Sequence, residues 1–94
     1  MTDDFGYSQR AMKVAADCAG ASIPQLMFDW RNRPLVYARW AVMHCLRKRG
    51  ATIGMIAWRL GRDRATVRYG LAQVEFQSAR NPILAEMLFR VDAA

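Results

Sequence analysis

The chain has 94 residues, of which 53% are hydrophobic and 23% are charged, and its formal net charge is +6. This length predicts one small domain with a single core and leaves no room for a second domain. No apolar run approaches the roughly 18 residues that a membrane span needs. The acidic start MTDDFGYSQR also lacks the basic and then apolar order of a signal peptide, so we expect a cytoplasmic protein.

Positive charge is concentrated in the middle of the chain. From Arg31 to Arg68 there are ten basic residues and one acid, Asp63, a local net charge of +9, whereas the remainder carries a net charge of −3. A generally basic protein would spread its charge, so a confined block indicates nucleic acid or an anionic membrane surface as a partner. The apolar side of the basic helix is alanine-rich and is needed by the core, which disfavours the membrane.

Capping and turn residues divide the first half of the chain into three predicted helices. Ser8 is expected to cap a helix that runs to about Gly20. Residues 22–25, SIPQ, have the form of a capping box and open a short helix that ends near Asp29. Pro34 suits the first turn of a long helix to about Arg49, since its ring fixes φ and its missing N–H is not needed there. We expect the exposed side of this helix to carry Arg39, Arg47 and Lys48.

The second half predicts three more helices. Thr52 caps a fourth helix of about eight residues, Gly61 follows it, and Asp63 caps a fifth. Asn81 and Pro82 break the chain before a final amphipathic helix, and no alternating pattern predicts a strand. The expected fold is therefore all-α, a compact bundle of about six helices. Its predicted inward residues include Leu35, Ala38, Ala41, Val42, Cys45, Leu46, Ile53, Ile56, Ala57, Leu60, Val67, Leu71, Val74, Ile83, Leu84, Met87, Leu88 and Val91.

Residues from Ile53 to about Ala72 fit the pattern of a helix-turn-helix, which we expect to span about 53–79. Ala57 is small where the two helices would cross, and Gly61 permits a sharp turn four residues later. Val67 would then pack the second helix onto the first. The coincidence of this pattern with the basic block favours a DNA-binding helix-turn-helix.

The start of the fifth helix holds the candidate base-reading residues. In such motifs the first residues of the second helix reach base edges in the major groove. An arginine can pair with both acceptors of guanine, and a methyl group can contact thymine. Asp63 is expected mainly to cap the helix, with acceptance from a cytosine amino group as the alternative. The predicted base-reading residues are Asp63, Arg64, Ala65 and Thr66, and Arg62, Arg68 and Tyr69 are predicted to meet phosphates.

The stretch GRDRATV, residues 61–67, resembles the signature of the C-terminal DNA-binding domain of the bacterial replication initiator DnaA, usually written G-G-R-D-H-T-T-V. The likeness extends from about Val14 to Glu75, and LMFDWRNR is similar to the entrance of the family's basic loop. The resemblance implies a Trp-repressor-like helical fold. It also implies that Arg31 and Arg33 enter the minor groove, and that Arg39, Arg47 and Lys48 approach the phosphate backbone.

The sequence departs from the family at the positions that set specificity. Arg64 stands in place of the family histidine, Ala65 replaces the first threonine, and one glycine is missing before Arg62. We therefore expect a changed recognition sequence. No G-x-x-x-x-G-K-[ST] run is present, so no ATP binding is expected. The resemblance implies a free-standing reader of double-stranded DNA in a bacterial nucleoid or from a phage, which regulates replication initiation or transcription and could also bind the full-length initiator or another protein.

Other functional classes fit the sequence less well than DNA binding does. His44 is the sole histidine, and on a helix its side chain points about 100° away from that of Cys45, so we expect no Cys/His nucleophile, no enzyme and no cofactor. Cys18 and Cys45 lie 27 positions apart and are expected to be buried free thiols rather than metal ligands. The main rival is a helical protein-interaction module with an exposed tryptophan patch, drawn from Trp30, Trp40 and Trp58, with Tyr37 nearby.

Overall fold

The longest helix of the fold, α3, packs against all five others. The structure is a computed structural model that describes residues 5–28 and 32–94. In chain order the helices are α1 Phe5–Cys18, α2 Ile23–Met27, α3 Arg33–Lys48, α4 Ile53–Leu60, α5 Arg64–Gln77 and α6 Pro82–Asp92. These two ranges contain no strand, and the predicted all-α bundle of six helices is confirmed.

Side-chain caps set the start of each helix from α2 to α6. Ser22 and Gln25 form the predicted capping box of α2, and the Thr52 hydroxyl accepts from the Met55 N–H at the start of α4. An αL glycine, Gly61, ends α4 with φ of 65°. The caps predicted at these positions are confirmed. Each cap is a contact between residues three or four positions apart, so the local sequence was sufficient to predict it. The full set of N-caps is Ser22, Asn32, Thr52, Asp63 and Asn81.

The start of α1 differs from the sequence-based prediction. The helix begins at Phe5 rather than after Ser8, so Ser8 is an internal residue and not a cap. Its side chain is only 1% exposed. The N-cap pattern was misleading because the core side of α1 extends one turn further towards the N-terminus, where Tyr7 is also buried. The hydroxyl of Ser8 has no hydrogen-bond partner among the described residues.

The core follows most of the predicted stripes. The inward residues predicted for α3 are all buried, as are Ile56, Ala57 and Leu60 of α4. Leu71 and Leu88 are half-buried and pack against the edge of the core. Ile83 is exposed, so its predicted inward position is wrong. It lies in the first turn of α6, outside the side of that helix on which Leu84, Met87 and Val91 are buried.

Candidate nucleic-acid interface

The helices α4 and α5 form a tight hairpin at one side of the bundle. Ala57 and Val67 are both buried in the shared core. The turn between them is closed by the Arg62 N–H, which donates to the Ala57 carbonyl at 2.9 Å. Gly61 adopts the left-handed conformation that this reversal requires. Ala57 and Val67 are therefore buried and Gly61 makes the turn, as the sequence pattern predicts, while the helix-turn-helix motif and its DNA binding both stay predictions.

One face of α5 is buried and the other is open. Val67, Gly70 and Val74 face the core. The residues at the start of the helix and along its outer face are all exposed: Asp63, Arg64, Ala65, Thr66, Arg68 and Tyr69. The four predicted base-reading residues thus lie together at the accessible start of α5. The exposed set includes two arginines, Arg64 and Arg68.

Asp63 acts as the N-cap of α5. Its Oδ1 accepts a hydrogen bond from the Thr66 N–H at 2.7 Å. This backbone hydrogen bond, followed by one from the Thr66 side chain, holds the pKa of the Asp63 carboxyl below its ordinary value. The carboxylate is therefore charged at neutral pH and engaged with its own helix, as the capping role predicts.

Arg64 rests against the first turn of α4. A Cβ placed on Gly54 would lie 3.0 Å from Nη2 of Arg64 and 3.3 Å from its Nε. The guanidinium therefore packs closely against Gly54 and would have to shift by a few tenths of an ångström if residue 54 had a side chain. Arg64 is otherwise exposed, so its end can leave this position and extend from the helix start.

A groove of about 730 Å³ separates the start of α5 from α3. Trp40 forms one wall, with its ring 6.2 Å from that of Tyr69 in an edge-on arrangement and 5.6 Å from that of Tyr37. Asp63 and Thr66 line the groove beside Arg62. The groove therefore has an aromatic wall on α3 and a polar edge at the start of α5.

The prediction that Arg39 lies on the exposed side of α3 is wrong. Its side chain is only 6% exposed. Nε donates to the Leu26 carbonyl at 2.7 Å, and Nη2 donates to the Phe28 carbonyl. Two carbonyls at the end of α2 have few helical partners, and the buried guanidinium satisfies them. We therefore remove Arg39 from the candidate phosphate contacts.

A sequence signal could have identified this burial. Arg39 lies at i+4 from Leu35 and i−3 from Val42, on the line of the buried stripe of α3. Its charge, rather than its position, suggested exposure. A long basic side chain inside an apolar stripe predicts a buried donor when uncapped carbonyls lie within reach.

Arg62, in the turn between α4 and α5, also donates hydrogen bonds to carbonyls at the end of α2. Its Nη1 donates to the Met27 carbonyl at 3.0 Å and to the Leu60 carbonyl at 3.1 Å, and its Nη2 donates to the Phe28 carbonyl at 2.7 Å. Arg39 and Arg62 thus both hold the Phe28 carbonyl. This carbonyl clamp fixes the end of α2 to α3 and to the turn between α4 and α5. Arg62 keeps a half-exposed side chain, and its predicted phosphate contact stays a prediction.

The remaining basic candidates have different surroundings. Arg33 is exposed in the first turn of α3, and Arg68 is exposed on α5. Arg47 is exposed at the end of α3, where its Nη1 donates to the Ala51 carbonyl at 3.0 Å. Lys48 pairs with Asp92 of α6 at 3.3 Å, on the side of α3 that faces α6. Arg31 lies outside the described residues.

The tryptophans are in unlike environments. Trp40 is half-buried against Tyr37 and Tyr69, whereas Trp58 is 79% exposed on α4. Trp30 lies outside the described residues. Trp40 and Trp58 line separate pockets with no residue in common. Trp40 and Trp58 therefore do not form one patch, and Trp58 is the more exposed of the two side chains.

Both cysteines are free, Cys45 buried and Cys18 half-buried. Burial raises the pKa of each thiol above its ordinary value. Residues 5–28 and 32–94 contain no group of three or more potential metal-ligating His, Cys, Asp or Glu side chains. No helix in these ranges is both long enough and apolar enough to cross a membrane.

Comparisons with protein families, with curated proteins and with solved structures found no match to this chain.

Proposed function

We propose that this chain binds double-stranded DNA in a sequence-specific manner through the hairpin of α4 and α5 together with the basic loop before α3. The observation that carries this proposal is the accessible start of α5, where Arg64, Ala65 and Thr66 are exposed behind a capping Asp63. This helix start lies inside the block of residues 31–68 that carries a local net charge of +9. Positive charge confined to one region is the electrostatic footprint of a polyanion-binding surface.

The exposed side chains suit base reading in the major groove. A second helix that enters this groove presents its first residues to base edges. The Arg64 fork can donate to both acceptors of guanine, and the methyl groups of Ala65 and Thr66 can contact a thymine methyl. The side chain of Arg64 leaves its resting place on Gly54 to do so.

The phosphate contacts follow from the exposure of the basic residues. Arg68 and Tyr69 flank the base-reading positions on α5, and Arg47 is exposed at the end of α3. Arg33, together with Arg31, which lies outside the described residues, is proposed to reach the minor groove. Lys48 is a weaker candidate because its ammonium group already pairs with Asp92 at 3.3 Å. Arg39 is excluded, since its donors are used inside the fold.

The resemblance of GRDRATV to the DnaA signature supports a role in replication initiation or transcription. Competition with the full-length initiator for its sites on DNA is the mechanism that we propose to test first. The changes at Arg64 and Ala65 are expected to shift the preferred sequence away from that of the family.

Fluorescence anisotropy with two duplexes of equal composition tests this proposal. One duplex carries a DnaA-type box and the other a scrambled sequence, each at three salt concentrations. Four cationic contacts, from Arg31, Arg33, Arg47 and Arg68, predict that the logarithm of the affinity falls with a slope of about −4 against the logarithm of the salt concentration. If neither duplex binds with a salt-dependent affinity, the proposed function is wrong.

Two variants separate base reading from phosphate binding. Arg64→Ala is expected to reduce the discrimination between a preferred and a scrambled duplex by about 1–3 kcal/mol, because the bidentate contact is lost. Arg47→Ala is expected to weaken binding to both duplexes alike and to reduce the salt slope by about one. The preferred duplex is obtained by selection from random sequences if the box itself is not favoured. Equal losses by both variants on both duplexes would contradict the assigned roles.

A further inference from the structure

Arg62 joins the ends of α2 and α4 to the residue that precedes the N-cap of α5. Its backbone N–H donates to the Ala57 carbonyl of α4 at 2.9 Å. Its Nη1 donates to the Met27 carbonyl at 3.0 Å and to the Leu60 carbonyl at 3.1 Å, and its Nη2 donates to the Phe28 carbonyl at 2.7 Å. One side chain therefore holds two helix ends together at the turn between α4 and α5.

The acceptors of Arg62 need a donor from elsewhere in the chain. The last carbonyls of a helix have no partner within that helix. The helix α2 has only five residues, Ile23–Met27, and a helix of this length has little stability of its own. The guanidinium satisfies carbonyls at its end and so attaches α2 to the turn. In return, the turn gains an anchor in addition to the packing of α4 on α5.

This anchor lies directly before the first turn of α5. Asp63, the next residue, accepts from the Thr66 N–H at Oδ1 and from the Val67 N–H at its carbonyl, at 2.7 Å and 3.2 Å. Val67 is buried, whereas Asp63, Arg64 and Thr66 are exposed. The first turn of α5 is therefore held by Val67 on its buried side and by Arg62 at its start.

The contacts of Arg62 suit a different task from those of the other basic residues on this surface. Its side chain is half-buried and bound to carbonyls of the fold, whereas the side chains of Arg64 and Arg68 are exposed. A phosphate contact carries no sequence information. Base reading, in contrast, requires the first residues of the inserted helix to be held accurately by the residues around them.

We infer that Arg62 is a positioning residue for base reading and not a phosphate contact. It fixes the first turn of α5 to the end of α2, in the orientation in which Arg64, Ala65 and Thr66 meet base edges. Arg62 thereby contributes to sequence discrimination without touching the DNA. This role rests on the proposed function, because it concerns the same DNA-binding surface.

Arg62→Lys separates the two roles because it keeps the charge and removes the guanidinium. An ammonium group can bind a phosphate, but its single nitrogen cannot replace both Nη1 and Nη2 at their carbonyls. We expect the ratio of affinities for the preferred and scrambled duplexes to fall by about 5-fold or more, with an unchanged salt slope. Fluorescence anisotropy measures both. A wild-type ratio in Arg62→Lys would overturn the inference, and a lower salt slope in Arg62→Ala would then assign Arg62 to a phosphate.

Tyr7→Phe controls for a general loss of stability. It removes the hydrogen bond from the Tyr7 hydroxyl to the Val91 carbonyl, which joins α1 to α6, and neither helix carries a proposed DNA contact. The variant is expected to unfold at a lower urea concentration and to keep the wild-type ratio of duplex affinities under conditions in which it is folded. An equal fall of the ratio in Tyr7→Phe and Arg62→Lys would show that stability alone is responsible, and would overturn the inference.

A double-mutant cycle with Arg64→Ala tests whether Arg62 acts through α5. If Arg62 places Arg64 at its base, Arg62→Lys should lower the affinity ratio by a smaller factor in the Arg64→Ala chain than in the wild-type chain. An equal factor in both chains would mean that Arg62 acts independently of Arg64, which contradicts the inferred role.

Hydrogen exchange in the absence of DNA tests the anchor itself. Arg62→Lys is expected to raise the exchange rate of the Val67 amide several-fold relative to that of Val42 in the middle of α3, because the first turn of α5 opens more readily. An unchanged relative rate would overturn the inference. If the wild-type chain binds neither duplex, the proposed function is wrong, and a raised Val67 rate would still support the attachment of α5 to α2 by Arg62.

Discussion

At the scale of single residues, the function of an arginine in this protein depends on the carbonyls within its reach. Arg39 and Arg62 both donate to the Phe28 carbonyl, whereas Arg64 and Arg68 are exposed on α5. All four belong to the same basic block of the sequence. The first two hold the fold together in the region where α2 ends, and the latter two are available to a ligand.

Arg39→Ala is expected to lower the free energy of unfolding by about 2–3 kcal/mol. Two carbonyls, those of Leu26 and Phe28, lose a charged donor, and the hydrogen bond to Leu26 is buried. Urea denaturation measures this change. Arg47→Ala, on the exposed end of the same helix, is the control and should change the stability by less than about 0.5 kcal/mol. An Arg39→Ala chain of unchanged stability and reduced DNA affinity would return Arg39 to the phosphate contacts.

Gly54→Ala tests the resting position of Arg64. The added methyl group crowds the guanidinium, which has to shift by a few tenths of an ångström, while alanine raises the helix propensity of α4 by up to about 1 kcal/mol. We therefore expect unchanged or higher thermal stability together with an affinity for the preferred duplex that is raised by at most a few-fold, because the resting position of Arg64 becomes less favourable.

The double-mutant cycle of Gly54→Ala with Arg64→Ala isolates this effect. The gain in duplex affinity should disappear when Arg64 is absent, with a coupling of at least about 0.5 kcal/mol, as expected for residues in contact. Additive effects of the two substitutions would show that the resting contact has no influence on binding.

At the scale of helices, the contact of α5 with α3 depends on a glycine. Gly70 is buried in the middle of α5. A Cβ at this position would lie 2.7 Å from Sδ of Met43 and 2.7 Å from Cδ1 of Trp40. The absence of a side chain therefore lets the two helices approach closely and seats the Trp40 ring between Tyr37 and Tyr69.

Gly70→Ala is expected to destabilise the protein by about 1–3 kcal/mol despite the higher helix propensity of alanine, because the methyl group overpacks the contact with Trp40. Urea denaturation gives the change in stability, and near-ultraviolet circular dichroism reports the environment of Trp40. Gly54→Ala is the matched control, since there the methyl group displaces only the flexible end of an exposed arginine. Equal stability changes in the two variants would contradict this account of the helix contact.

At the scale of the whole molecule, a polar cluster joins the two ends of the chain. The Tyr7 hydroxyl of α1 donates to the Val91 carbonyl of α6 at 2.9 Å. The Arg49 guanidinium lies 3.8 Å from the centroid of the Tyr7 ring and forms a salt bridge of 2.9 Å with Asp92. Its other nitrogen donates to the Asp92 carbonyl at 2.8 Å. These contacts fasten α6 to α1 and to the end of α3.

The Arg49–Asp92 salt bridge makes part of the stability of this cluster dependent on pH. The hydrogen bond from Arg49 holds the pKa of the Asp92 carboxyl below its ordinary value of about 3.9. The unfolded chain therefore takes up the proton first as the pH falls, so the contribution is present above the unfolded pKa and is lost as the pH falls through the folded one. Since the pair is partly exposed, it contributes at most about 1 kcal/mol.

Asp92→Asn tests the sign of this linkage. The variant should be less stable than the wild-type chain at neutral pH, and the difference should shrink as the pH falls below about 3.9. Thermal denaturation over this range measures it. Asp17→Asn, which removes an exposed pair with Lys13 within α1, is the control and should show a smaller difference. A difference that grows with acidity would contradict the assigned direction of the pKa shift.

The sequence by itself determined the features that depend on neighbouring residues. Ser22, Thr52 and Asp63 cap helices through contacts three residues away, and Gly61 ends α4 through its own backbone conformation. Periodicity likewise identified the buried side of α3, because a helix returns to the same face every 3 to 4 residues. The order and type of all six helices follow from such local rules.

Only the tertiary structure decided the features that depend on distant segments. Arg39 is buried because the end of α2 brings two carbonyls to it, and Trp40 is half-buried because α5 approaches it at Gly70. Trp58 is 79% exposed although it lies in the same apolar helix as the buried Ile56 and Leu60. The burial of a long side chain depends on the segment that packs over it, and that segment lies many residues away in the sequence.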